Sequence, residues 1–227
     1  MQRLIFRSLL VLASAACAAC SLEPTPRPHP GRFASQIASF AKKKPEKAGV
    51  VFTGSSSIRM WPHLKQDFPD LPVLNRGLGG CVANDLIVHF DTVVARNEPK
   101  LLVTYCGSND LDDHLTVAEA LEDYTKFLTM SHERFPKMRV LLNSVKIAPS
   151  RARDIPQVHR LNQGLQSWSS DKPWVRYLDS SSYLADSNGQ PITTYFRADR
   201  LHLNDAGYAK WKELLEPVLR EEWARVK

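Results

Sequence analysis

The sequence predicts an α/β protein: a three-layer α/β/α sandwich on a five-stranded parallel sheet. Three observations carry that prediction. Five short runs rich in Val and Leu recur along the chain. Such runs read as strands covered on both faces, as in parallel sheets. Between most of them lie longer stretches whose apolar residues return at helical spacing. The order is therefore strand then helix, repeated, and that alternation folds into a sheet with helices on its two faces.

Each element follows in turn. AGVVFT, residues 48–53, is a continuous apolar run and the first strand; LPVLNRG, residues 71–77, is the second. Val82 to Ala95 reads as a helix and leads to the third strand, KLLVTYCG. Val117, Leu121, Tyr124 and Leu128 mark one face of the next helix, with acidic residues between them. MRVLLNSV is the fourth strand. Val158, Leu161, Leu165 and Trp168 define a further helical stripe, and WVRYLD is the fifth strand. Trp211, Leu214, Leu215, Val218 and Leu219 mark a C-terminal helix beginning near Asn204 or Asp205.

The whole chain sets wider bounds. At 227 residues it suits one domain with a substantial core. Its 43% hydrophobic and 24% charged residues exclude wholesale disorder. The formal charge of +6 comes from scattered basic residues, which does not describe a nucleic-acid surface. The first twenty residues read as an export signal: Arg3 and Arg7 precede an apolar segment, Ser8 to Ala16, followed by small residues. Cys20, in AACS, resembles a bacterial lipidation site, with Cys17 the alternative and simple cleavage after Ala15 or Ala18 the plainer one. Lipid on Cys20 would make the membrane a partner and place the protein in the periplasm or at the outer membrane; simple cleavage would release it. Residues 21–34, rich in proline, read as a tether, and residues 35–227 as the single domain. Cys81 and Cys106 are expected to be buried thiols, a disulfide between them being the alternative.

In a parallel sheet, ligands sit outside the carboxyl ends of the strands. Three glycine-containing polar turns converge there: GSSS after the first strand, NRGLGG with the second and CGSND after the third. A serine hydroxyl attacks a carbonyl only when a base takes its proton and a third group orients that base. DRLHLNDAGY supplies such a pair, Asp199 and His202, at a spacing of three, which projects both to one side. The Gly-x-Ser-x-Gly nucleophile elbow is not present, because Ile58 stands where its last glycine belongs.

Together these blocks resemble the SGNH hydrolases, the GDSL-like esterases and lipases, over about Gly49 to Tyr208. Gly54-Ser55-Ser56 stands for the first block, Gly80 in NRGLGG for the second, with Gly79 one residue away. Gly107-Ser108-Asn109-Asp110 stands for the third, and Asp199 to His202 for the last. The resemblance implies a flavodoxin-like sheet and the following roles. Ser56 is nucleophile, His202 general base then acid, and Asp199 the group that orients His202. The Ser56 and Gly80 N–H groups and the Asn109 amide form the oxyanion hole. Ser55 departs from the family pattern, which has Asp there. GSSSIRMW and HLNDAGYAKW resemble the platelet-activating-factor-acetylhydrolase-like and carbohydrate-esterase-like branch, which implies short acyl groups.

The expectation is therefore a serine esterase acting on acetyl or other short esters of carbohydrate or lipid-derived alcohols, without cofactor or metal. The alternatives are a lysophospholipase or thioesterase for longer chains, a transacylase, or a non-catalytic carbohydrate-binding lipoprotein. His29, His63, His89, His114, His132 and His159 lack ligand spacing and receive no role. NSVKIAPSRARD, after the fourth strand, is a candidate pocket wall, as are Tyr195, Phe196 and Arg197.

Overall fold

The structure is a computed structural model that describes residues 23–47 and 49–227, so the expected leader, with Cys17 and Cys20, lies outside it. Five strands form one sheet: β1 (Val50–Gly54), β2 (Val73–Gly77), β3 (Leu101–Tyr105), β4 (Arg139–Asn143) and β5 (Val175–Leu178). All pairings are parallel, in the order β2-β1-β3-β4-β5. Every strand coincides with one of the apolar runs. β1 and β3 are buried along their whole length because both faces are covered.

Among the described residues nine α-helices cover the sheet: α1 (Ala34–Lys42), α2 (Ser56–Arg59), α3 (Leu64–Asp67), α4 (Ala83–Val88), α5 (Phe90–Val93), α6 (Ser108–Asp112), α7 (Val117–Arg134), α8 (Ile155–Ser169) and α9 (Asp205–Ala224). On one face α1 packs on α5, α4 on α7 and α7 on α8. On the other, α9 lies against the β1–β2 connection: Trp211 meets Trp61 with ring centres 5.0 Å apart, and Arg220 pairs with Asp70. Phe52 points from β1 into this layer and meets Trp61 and Phe68. The single helix expected over Val82 to Ala95 is broken at His89, whose backbone (φ −100°, ψ 15°) leaves helical geometry and separates α4 from α5. No helix among the described residues is long and apolar enough to cross a membrane.

Two features position the site. The chain runs from β1 outward to β2, then crosses to β3 on the other side of β1, so a crevice opens where the carboxyl ends of β1 and β3 lie side by side. Gly54 and Tyr105 are register partners there. After β5 the chain makes no further strand of the sheet. It passes through short turns to Asn204, whose side chain accepts from the Gly207 N–H at 3.0 Å and starts α9.

The proline-rich stretch from Glu23 runs along α7. The Thr25 N–H and hydroxyl donate to Glu119, and Arg27 pairs with Glu119 and Asp123.

Candidate active site

The turn after β1 is fixed by the main chain. Gly54 has φ +127°, and a Cβ there would lie 1.8 Å from the Tyr105 carbonyl oxygen, so only glycine fits. The Ser55 N–H donates to that carbonyl at 3.0 Å, and the Leu78 N–H donates to the Gly54 carbonyl at 2.7 Å. Ile58 and Arg59 then donate to the Ser55 carbonyl, each at 3.1 Å, and α2 begins. These bonds stitch the turn to β3 and to the end of β2. Ser55 is buried, and its side chain makes no capping bond to α2. Ser56 is the first residue of α2, half-buried, and its N–H has no acceptor among the described residues.

The expected acid and base, Asp199 and His202, arrive from the other end of the chain. His202 Nε2 lies 3.0 Å from Ser56 Oγ, and His202 Nδ1 lies 2.8 Å from Asp199 Oδ2. Asp199 Oδ1 accepts the N–H groups of Leu201 and His202, both at 2.9 Å. Partial desolvation pushes the Asp199 carboxyl up. The backbone N–H and ring of His202, with the Leu201 N–H, outweigh that and hold it well below the usual carboxylate range. An ionised Asp199 fixes the imidazole with its unprotonated nitrogen toward Ser56, which is what a general base requires.

The third component is a set of donors. Gly80, with φ +83°, has open space where a Cβ would stand, and its N–H has no acceptor among the described residues. At Gly79 a Cβ would come 2.4 Å from Arg59 Nε. Gly79 is thus the glycine packed beneath a side chain, and Gly80 is the one facing open space. Asn109 donates one amide hydrogen to the Cys81 carbonyl at 2.9 Å and keeps a second for a ligand. Its carbonyl oxygen accepts from Arg151 Nη2 at 3.0 Å, which fixes the amide with its nitrogen pointing away from Arg151. Asp110 is buried and accepts the Ala83 N–H at 2.8 Å, tying the third block to the turn that carries Gly80.

Two residues here were not singled out from the sequence, although their segment was. Arg151 also bonds the Ser108 carbonyl (2.9 Å) and hydroxyl (2.7 Å) and pairs with Asp112. Lys146 is buried just past β4 and donates to the Leu201 carbonyl at 2.7 Å. The only signal was a cation inside an otherwise apolar strand end; its partner lies fifty-five positions away. Phe196 is buried above Lys146, while Trp61 belongs to the core and donates to Asp67. Cys81 and Cys106 are free, buried thiols with their sulfurs 4.0 Å apart, about twice the length of a disulfide bond. Among the described residues no group of three or more His, Cys, Asp and Glu is placed to hold a metal.

A tiny cavity of about 10 Å³ adjoins Ser56, lined also by Ser108, Asn109, Lys146, Arg151 and Leu201 among others. Roomier hollows, about 700 Å³ between Leu111 and Arg160 and about 590 Å³ around Phe135 and Arg225, do not include Ser56, Asp199 or His202.

Residues 45–210 match the model of the GDSL-like lipase/acylhydrolase family. No curated protein matches the sequence. Among solved structures, the chain is similar to a Streptococcus pneumonia protein provisionally described as a platelet activating factor. The two share 20% identity over 83% of this chain and 91% of that one, with a TM-score of 0.74. A GDSL-like lipase from Bacteroides thetaiotaomicron aligns at 21% identity over 85% and 98%, with a TM-score of 0.70. A carbohydrate esterase family 3 protein from Talaromyces cellulolyticus aligns at 16% identity over 79% and 100%, with a TM-score of 0.64.

Proposed function

This chain belongs to the GDSL-like lipase/acylhydrolase family, and from that premise we propose that it is a serine esterase removing short acyl groups, acetyl foremost, from carbohydrate or lipid-derived alcohols. The observation that carries the reading is the unbroken relay from Asp199 through His202 to Ser56, with bonds of 2.8 and 3.0 Å. His202 takes the hydroxyl proton as Ser56 Oγ attacks the ester carbonyl. Negative charge then grows on the carbonyl oxygen, where the Ser56 and Gly80 N–H groups and the Asn109 amide can donate to it. Each such donor is worth roughly 3 kcal/mol of barrier. His202 returns the proton to the departing alcohol, leaving an acyl group on Ser56. Water, activated by the same imidazole, releases it.

The small, mostly polar cavity beside Ser56 supports a short acyl group, since a long chain needs an apolar groove to displace water. We also propose that the protein is exported and held at the envelope through lipid on Cys20, which makes envelope-borne esters its natural substrates.

The test is hydrolysis of p-nitrophenyl acetate, butyrate and octanoate by the parent and by Ser56→Ala. The expected result is turnover that needs Ser56 and falls steeply with acyl length. A preference for octanoate would contradict the short-acyl part. Parent and variant both at background would contradict the esterase reading.

A further inference from the structure

The segment from Asp179 to Leu203 carries both acid and base yet contributes no strand to the sheet. Individual contacts must therefore hold it at the catalytic edge, and one of them comes from a buried cation. Lys146 Nζ donates to the Leu201 carbonyl at 2.7 Å and stands 5.7 Å from the Phe196 ring centre, in a residue 5% exposed. The Leu201 carbonyl and the His202 N–H belong to one peptide group, which is planar and rigid. Its N–H end donates to Asp199 Oδ1 at 2.9 Å. Lys146 thus grips one end of a plate whose other end clamps the triad acid. Burying an ammonium is costly, and an apolar residue would fill the same space without that cost.

We propose that Lys146 is a positioning residue for catalysis: its ammonium, by holding the Leu201 carbonyl, sets the Asp199–His202 pair against Ser56. The proposal rests on the esterase reading for its kinetic consequence, but not for its structural one.

The titratable groups around Lys146 sharpen the expectation. Tyr105 faces it from the end of β3 and Tyr183 from the turn after β5; Arg151 lies on the segment leading to α8, and Asp199 on the loop above. Burial raises both tyrosines, Tyr105 to about 12, so both stay neutral at physiological pH. Burial pushes the Lys146 ammonium down to about 7, Arg151 pushes the same way, and Asp199 opposes them. As the pH rises through that value the charge-assisted bond becomes an ordinary one. Activity should therefore carry an alkaline limb that belongs to Lys146.

The experiment measures kcat and KM against pH for p-nitrophenyl acetate on the purified parent, Lys146→Met and Lys146→Arg. It also records the proton resonance of His202 Nδ1, which needs no substrate. Lys146→Met should lose about tenfold or more in kcat with KM nearly unchanged, together with the alkaline limb and the Nδ1 resonance. Lys146→Arg, which keeps its charge, should recover most of kcat and the resonance and should lack the limb near pH 7. A Lys146→Met protein that matches the parent in kcat, limb and resonance would overturn the proposal. So would a Lys146→Arg protein that keeps the parent's limb, which decides the matter if Lys146→Met does not fold. If the parent hydrolyses no ester the esterase reading fails separately. The Nδ1 resonance then decides alone: its loss in Lys146→Met upholds the anchor, and its persistence refutes it.

Discussion

The two halves of the site are held by different means. Ser56 sits on a turn braced mostly by main chain, Ser55 to Tyr105, Leu78 to Gly54, Ile58 and Arg59 to Ser55, with the Tyr208 hydroxyl on the Ser57 carbonyl and the Asn75 amide on the Ile58 carbonyl added to them. Its geometry is inherited from the pairing of β1 with β3, and it cannot shift without breaking the sheet. Asp199 and His202 ride on a strand-free segment whose fixings include three side chains: Lys146 on the Leu201 carbonyl, Arg197 on the Leu203 carbonyl, and Asn204 on Thr194 and Phe196. Asn109 resembles the second half, its amide set by Arg151. Placement of Ser56 should thus be coupled to folding, whereas placement of Asp199, His202 and the Asn109 amide should be separable from it.

This contrast can be broken most forcefully at Asn109 and Gly54. Asn109→Ala should lower kcat by roughly 10²–10³-fold while its melting curve stays near the parent's. Gly54→Ala should do the reverse, unfolding the protein rather than tuning it. The added methyl would collide with the Tyr105 carbonyl at 1.8 Å in a backbone region that disfavours alanine, and the loss should be at least about 3 kcal/mol by denaturant titration. A Gly54→Ala protein with parental stability and reduced kcat would erase the distinction.

A smaller effect tests the junction between the halves. Burial pushes Asp110 up to about 7, against the pull of the N–H bonds from Ala83 and its own backbone. Its carboxyl thus binds its proton more tightly folded than unfolded, where its pKa is about 4. The stability this gives is complete below about pH 4 and is lost as pH rises through about 7. Asp110→Asn cannot ionise, and its carbonyl can still accept the Ala83 N–H. Its advantage over the parent should therefore grow by a few kcal/mol between pH 4 and 7 in thermal melts. A difference that is flat with pH would remove the buried, protonated carboxyl from the account.

Legibility in the sequence follows the same division. The strands could be read because a strand buried on both faces is built mainly of apolar residues, as Val50–Phe52 and Leu101–Val103 illustrate. The family blocks could be read because Gly54, Gly107 and the Asp199–His202 pair occupy short local patterns. Lys146 and Arg151 could not, since their meaning lies in partners far along the chain, and a cation in a strand-end loop is by itself unremarkable. The strap from Thr25 and Arg27 onto Glu119 and Asp123 was hidden for that reason. The break at His89 was hidden because helical spacing continues across it.

The central claim is that Ser56 forms the covalent acyl intermediate. The most direct measurement is acid quenching of the protein during turnover of p-nitrophenyl acetate, followed by peptide mass mapping. One acetyl group on the peptide containing Ser56, absent in Ser56→Ala, is the predicted result. Continued hydrolysis by Ser56→Ala, or an acetyl group lodged on another residue of the parent, would contradict it.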